Sequence, residues 1–237
     1  PYRRQRQMCI RDSYMNVENF TISGAGLREG IMFNQALPST IEKPVSDVLT
    51  YSLTTLVKWY DCDEKHVEHV VNLSIQLFKQ LRVLHKFPRQ YLKVLKVAAT
   101  LHDCGMRIKY YNHQRHSWYM ILNANLYGVT HREIVLAAFT ACCHKKEDIN
   151  PLDWARFKDI LHEDDIEIVK RLGVMLRIAE SLDRSMSGCI KGINCDILGD
   201  SVIMKTEVEG DASLEIRDAM AAGAEFKKSF HKNLEIL

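Results

Sequence analysis

Residues 101–134 read LHDCGMRIKYYNHQRHSWYMILNANLYGVTHREI. An apolar run, Leu92 to Leu101, stops at His102-Asp103. A polar, His-rich connection follows, with His113 and His116, and then a short helical stretch over Ser117–Leu122. Thr130 with Glu133 three residues later is a capping box that opens a helix to Cys143. A dipeptide of imidazole and carboxylate at the inward end of one helix, with two more histidines before the next, predicts a helical domain with a polar centre.

The pattern holds outward in both directions. Val48, Leu49, Leu53, Leu56, Val57 and Tyr60 form a helical stripe over Ser46–Tyr60. Asp63 caps a second helix that runs to Leu84 on Val67, Val70, Val71, Ser74, Leu77, Phe78 and Leu81. Pro88 starts the third helix, which carries on to Gly105. Residues 151–162 are short helix or irregular, and Asp164–Leu182 is a long helix. Beyond Gly188 the period changes to two: Ile190–Leu198 and Ser201–Val208 are strands joined at Gly199-Asp200, a hairpin signal. Ser213–Phe230 returns to helix, and Leu234–Leu237 makes a short edge strand. The fold class is mainly α: a helical bundle with a small C-terminal α+β appendage. Upstream, Phe20–Ile22 reads as a strand and Leu27–Phe33 as a helix, before a linker bracketed by Pro38 and Pro44.

The first 13 residues, PYRRQRQMCIRDS, differ from the rest. They have no apolar periodicity and are expected to be a non-native head, set apart from fold reasoning. Four of the 32 Lys/Arg and one of the 30 Asp/Glu lie there, so without them the formal charge turns from +2 to about −1. That balance points to neither DNA nor a membrane as partner. No apolar run reaches the roughly 18–20 residues of a membrane span. The seven cysteines (9, 62, 104, 142, 143, 189, 195) show no C-x-x-C spacing and are read as reduced thiols of a cytoplasmic protein. Cys142-Cys143-His144 has no partner pair for a zinc site. Trp59, Trp118 and Trp154 are read as packing residues.

The ten histidines carry the chemistry. His66 stands at the edge of the second helix's core stripe, thirty-six residues before His102, room for a helix, a turn and a return helix. His102, Asp103 and the late carboxylate Glu180, with Asp183 a turn beyond, supply imidazole and carboxylate donors suited to a hard or borderline divalent metal. Such a metal activates water against a phosphate ester. His66, His102, Asp103 and Glu180 are the metal candidates and Asp103 the catalytic one; a hydrogen-bonded polar cluster is the alternative. His113, His116 and His144 are candidates for phosphate or a second metal, or else capping and solvated residues. Arg107, Lys109, Arg115, Lys145 and Lys146 gather around them as a polyanion patch or as ordinary surface charge. His69 is read as a surface residue.

The order H…HD…H…H…(D/E) resembles the HD superfamily of metal-dependent phosphohydrolases. That resemblance places metal ligands at His66, His102, Asp103 and Glu180. The superfamily's usual Gly-Lys after His-Asp is Cys104-Gly105-Met106 here, and its usual late Asp is Glu180. The 101–134 segment, with LRIAESLDRS (176–185), LEIRDAMAAGAEFKKSF (214–230) and ISGAGLREGI (22–31), is similar to the Ppx/GppA family of exopolyphosphatases and guanosine-pentaphosphate phosphatases. This likeness implies an HD-like domain over 45–188, an α+β subdomain over 189–237 and, at 14–37, the end of an actin-like phosphatase domain whose catalytic groups lie upstream. It implies phosphohydrolase function on polyphosphate or guanosine pentaphosphate, with the HD-like domain gripping substrate and forming a homodimer. An autonomous metal-dependent phosphohydrolase and a purely structural dimerisation domain are the other readings. The implied cofactor is a divalent metal, Mg or Mn first, then Fe, Co or Zn, with an empty degenerate site as the alternative.

Overall fold

The computed structural model describes residues 26–36, 47–145 and 149–237. The expected strand Phe20–Ile22, the head 1–13 and Lys146 lie outside the described residues. Gly26–Ala36 belongs to a unit separate from Asp47–Leu237. It holds one helix, α1 (Leu27–Ala36).

The second unit begins with α2 (Val48–Trp59), whose N-terminus is capped by the Asp47 carboxylate accepting from the Thr50 N–H. Asp63 caps α3 (Glu64–Gln80) in the same way, accepting from the N–H groups of Lys65 and His66. The sequence predicts one helix to Leu84; instead a separate turn, α4 (Arg82–His85), follows and ends at Lys86 in the left-handed region, φ 54°. Next come α5 (Gln90–Leu101), a 3-10 turn (Cys104–Arg107), α6 (His113–Leu122), α7 (His131–Cys142), α8 (Pro151–Ala155) and α9 (Asp165–Ser181). The third helix therefore stops at Leu101 rather than Gly105, and α6 starts four residues earlier than its apolar pattern indicates. Thr130 and Glu133 form the expected capping box on α7.

Four helices supply the middle of the core. Val70, Leu73 and Leu77 of α3, Leu95 and Leu101 of α5, Leu136 of α7, and Leu172, Met175 and Leu176 of α9 are fully or almost fully buried. Burying a Leu or Met side chain is worth about 1.5–3 kcal/mol relative to exposure. Small residues let the axes close: Ala98 and Ala99 on α5, Ala137, Ala138 and Ala141 on α7. At Gly173 of α9 a Cβ would stand 2.6 Å from Cys143 Cβ, so glycine sets that approach. Trp118 and Trp154 pack around Phe139, as expected of packing residues, whereas Trp59 is 77% exposed at the end of α2.

The appendage is a three-stranded sheet in the order β1-β2-β3. β1 (Ile190–Leu198) and β2 (Ser201–Val208) pair antiparallel about the Gly199-Asp200 turn, as the hairpin signal predicts. The chain crosses through α10 (Ser213–Met220) and α11 (Gly223–Phe230), two helices where one is predicted, and returns as β3 (Asn233–Ile236), parallel to β2 at the sheet edge. The outer edge of β1 lies on α3: Gln76 Oε1 accepts the Ile193 N–H at 2.8 Å, and His69 Nε2 donates to the Ile190 carbonyl at 2.7 Å. Side chains of the bundle thus satisfy backbone groups that an open edge would leave for another strand. No helix among the described residues is long and apolar enough to cross a membrane.

Candidate functional site

Three features of the local fold bring the histidines together. The Asp63 cap sets the first turn of α3 and so aims His66 inward, where it is 5% exposed. α5 ends on His102, fully buried, and the chain tightens at once into the 3-10 turn, leaving Asp103 at the corner. That turn sits against the start of α6, where a Cβ on Gly105 would stand 2.2 Å from the His113 carbonyl oxygen and 2.4 Å from the Ser117 nitrogen. The Gly105 N–H donates to Ser117 Oγ at 2.9 Å. Only glycine lets the His102-Asp103 corner and His113 lie this close. His144, fully buried, enters from the end of α7.

Asp103 is the centre of the cluster. Its Oδ2 lies 3.5 Å from His102 Nε2 and 3.9 Å from His66 Nε2. Its Oδ1 lies 3.4 Å from His113 Nε2 and 3.7 Å from His144 Nε2. One carboxylate thus faces two imidazole pairs, one on each oxygen. His66, His102 and Asp103 form one group able to ligate a metal ion, and Asp103, His113 and His144 a second.

The far nitrogens decide what the near ones offer. Each Nδ1 has an acceptor: Asp183 Oδ2 for His66 at 2.7 Å, and the carbonyls of Ala99, Tyr110 and Ala141 for His102, His113 and His144, at 2.8, 2.8 and 2.5 Å. These partners assign the proton to Nδ1 in all four rings and turn four Nε2 lone pairs inward. His113 Nε2 and His144 Nε2 are 3.1 Å apart. Two lone pairs do not face each other at that distance without a proton or a cation to share. His102 Nε2 and Asp103 Oδ1 are buried with no hydrogen-bond partner. Orphaned buried acceptors around a carboxylate fit a divalent cation, with two nitrogens and one carboxylate oxygen as donors in each of the two groups.

Electrostatics agree with the geometry. Burial works to raise the Asp103 carboxyl, but the imidazoles of His102, His113 and His144 outweigh it and hold it well below the usual range. Burial pushes His144 down to about 3, so its ring is neutral at pH 7, the form that ligates. Burial also opposes charge on His66, yet its hydrogen bond to Asp183 and the nearby Asp103 raise it.

Glu180 stands beside this cluster rather than within it. It is 6% exposed, and its Oε1 takes Lys145 Nζ at 2.9 Å and Arg184 Nη1 at 3.0 Å. The carboxylate that reaches a histidine of the first group is Asp183, through His66 and, at 2.9 Å, His69 Nδ1. His69 is accordingly half-buried, with Nε2 donating to the Ile190 carbonyl and Nδ1 2.9 Å from Asp183 Oδ1, not the surface residue its sequence position indicates. Its spacing of three from His66 on one helix, which puts the two on adjoining faces, was the available signal. Arg107 pairs with Asp61 at 3.2 Å on the exposed rim, Lys109 is exposed, Arg115 lies 3.4 Å from Asp153, and His116 is half-buried on α6 outside both ligand groups.

A cavity of about 230 Å³ opens over His66 and Asp103, walled by Tyr60, Cys62, Met106 and Met186 with Arg107 at its lip. Burial and the nearby Asp103 push the Cys62 thiol up to about 11, so it presents a thiol, not a thiolate. A larger cavity of about 730 Å³, not lined by the four histidines themselves, is bordered by Lys145, Lys170, Arg177 and Lys228 with Glu167 and Glu225.

Residues 48–216 match the family model described as Ppx/GppA phosphatase, domain III. The chain belongs to the Ppx/GppA phosphatase family. Among curated members, the guanosine-5'-triphosphate,3'-diphosphate pyrophosphatase of Aeromonas salmonicida (strain A449) is 30% identical over 117 residues, 49% of this chain and 23% of that protein. Its namesake in Aliivibrio fischeri (strain MJ11) is 30% identical over 116 residues, 49% of this chain and 22% of that protein. That of Pseudoalteromonas translucida (strain TAC 125) is 25% identical over 136 residues, 56% of this chain and 26% of that protein. The chain spans about a quarter of the length of these Ppx/GppA relatives. The domain III match covers α2 to α10, and so includes all four inward-facing histidines and Asp103.

Proposed function

We propose that this chain is the C-terminal part of a Ppx/GppA-type phosphohydrolase and that its domain III is itself a divalent-metal site acting on phosphoanhydrides. The observation that carries this is the set of four Nε2 lone pairs turned onto the two oxygens of Asp103. His66, His102 and Asp103 hold one cation; Asp103, His113 and His144 have the donors for another. An imidazole-rich set suits Mn, Fe, Co or Zn better than Mg, which prefers oxygen. A cation bound there supplies Lewis acidity and a water of lowered pKa.

The protein's own residues do the rest. Asp103 keeps the charge that balances the centre, since it stays ionised at any working pH. The backbone carbonyls of Ala99, Tyr110 and Ala141 fix three rings, so no reorganisation is needed as substrate enters. The cavity over His66 and Asp103, open on the side of Asp61 and Arg107, has room for a terminal phosphate. Arg107, whose exposed pair with Asp61 is worth at most about 1 kcal/mol, is free to turn onto the incoming phosphate. The names of the relatives favour guanosine pentaphosphate as substrate, and polyphosphate shares its terminal phosphoanhydride.

Elemental analysis and phosphate release from both substrates test the reading together. The expected result is a bound transition metal and hydrolysis lost in His102→Ala and Asp103→Asn. Absence of metal, or hydrolysis indifferent to both changes, sinks it. A second reading, binding of polyphosphate without cleavage, is favoured by the cation-bordered 730 Å³ cavity. It predicts salt-sensitive polyphosphate binding that survives Asp103→Asn and falls in Lys170→Ala/Lys228→Ala.

A further inference from the structure

We propose that Asp183 is the positioning residue of the metal centre: clamped between His69 and the Gly188 N–H, it holds His66 in the tautomer that offers Nε2 to the cation. The inference rests on the metal-site reading above, and its test separates the two.

Asp183 lies just past the end of α9 and is 2% exposed. Its two oxygens have different work. Among the described residues, Oδ2 accepts only from His66 Nδ1, at 2.7 Å. Oδ1 accepts the Gly188 N–H at 3.0 Å and faces His69 Nδ1 at 2.9 Å. Gly188 has φ +63°, a conformation that lets the loop after α9 turn back and deliver that N–H. His69 is fixed in turn, because its Nε2 donates to the Ile190 carbonyl at the first residue of β1. The orientation of His66 is therefore tied through Asp183 and His69 to the sheet.

His66 is the one ligand candidate whose Nδ1 acceptor is a side chain; the other three use carbonyls of their own local backbone. It is thus the one ring whose tautomer a single substitution can reverse. In Asp183→Asn the amide has one acceptor oxygen for two donor directions. With the oxygen toward Gly188 and His69, the NH2 group faces His66 Nδ1, puts the ring proton on Nε2 and withdraws the lone pair. Asp183→Glu keeps both acceptor oxygens at the cost of one methylene.

The experiment is ring-15N NMR of the whole chain in chelator, in mildly alkaline buffer, with Co(II) titrated afterwards. In the wild type His66 carries its proton on Nδ1. In Asp183→Asn the proton moves to Nε2 and Co(II) affinity falls roughly 10–100-fold; in Asp183→Glu the wild-type tautomer returns. A wild-type His66 protonated on Nε2, or a tautomer unmoved by Asp183→Asn, overturns the proposal. If Asp183→Asn does not fold, the wild-type and Asp183→Glu spectra decide it: a Glu variant with the proton on Nε2 also counts against it. Should the tautomer switch as described while Co(II) binds neither protein, the positioning of His66 stands and the metal reading alone falls.

Discussion

Two carboxylates of the bundle, Asp165 fully buried and Asp103 with 11% exposure, could hardly be used more differently. Asp165, fully buried at the start of α9, has every oxygen engaged. Arg132 of α7 reaches Oδ1 with Nη2 at 2.5 Å and Oδ2 with Nε at 2.9 Å, and the His162 N–H adds a third bond at 2.8 Å. The same Arg132 Nη2 also donates to the Tyr91 hydroxyl at 3.1 Å. Asp103 is ringed by four imidazoles at 3.4–3.9 Å, and its Oδ1 has no hydrogen-bond partner. The difference teaches that burial alone does not mark a site. A satisfied buried charge ties helices together; an unsatisfied one among imidazole nitrogens is what the proposed metal site rests on.

The strongest way to break this contrast is Asp165→Ala. It leaves the half-buried Arg132 guanidinium without its carboxylate, and chemical denaturation is expected to show a loss of about 3 kcal/mol. The figure sits at the low end of the usual range because the Arg132 side chain keeps 27% exposure. Asp103→Asn in chelator is expected to lose far less. An equal loss from both would mean that Asp103 is a structural charge like Asp165.

Adding metal sharpens the comparison. A cation that binds only the folded chain stabilises it by about 2.7 kcal/mol at a hundredfold excess over Kd. Mn(II) or Co(II) at that excess should raise the melting temperature of the wild type and of Asp165→Ala alike. The rise should vanish in Asp103→Asn and in His102→Ala. Equal stabilisation of all four proteins would place the cation elsewhere.

Gly105→Ala comes next. A Cβ there would meet the His113 carbonyl and the Ser117 nitrogen, both backbone atoms that cannot swing away. Overpacking of this kind costs typically 1–3 kcal/mol. Because the displaced atoms carry His113, metal affinity should fall with stability. A variant that loses stability at full affinity would show that the two groups around Asp103 are not linked through this turn.

Much of this was legible beforehand, for identifiable reasons. Period-3.6 stripes on α2 and α3, the capping box at Thr130 and the Gly199-Asp200 turn are local signals, and the elements follow them. The breaks at Leu81 and at Ala221-Ala222 are not signalled locally, since both lie within good helix-forming sequence. Within the site, His66, His102, Asp103, His113 and His144 could be named from their placement at helix edges and ends. That Asp183 rather than Glu180 lies against His66 could not. It depends on Lys145, 35 residues before Glu180, taking that carboxylate, and on α3 bringing His66 to Asp183 across 117 residues, whereas the Arg184 pair with Glu180 is a local i,i+4 contact. The two long-range contacts have no period in the sequence.

The smallest expected effect separates a cap from a charge on α7, the helix that supplies both Arg132 and His144. Thr130→Ala removes the side chain that accepts the Glu133 N–H and should cost about 1 kcal/mol. Glu133→Gln keeps the reciprocal bond to the Thr130 N–H and loses only the pair with Lys93 at 2.6 Å, a half-exposed contact worth a few tenths of a kcal/mol. Burial works to raise the Glu133 carboxyl, but Lys93 and the Thr130 hydrogen bonds outweigh it, so the folded value lies below the ordinary 4.5. A depressed carboxyl stabilises the fold above its unfolded value, and that contribution is lost as pH falls through the folded one. The stability gap between wild type and Glu133→Gln should therefore be constant above about pH 5 and close on acidification. A gap that widens toward acid would mean that burial, not Lys93, governs this carboxylate.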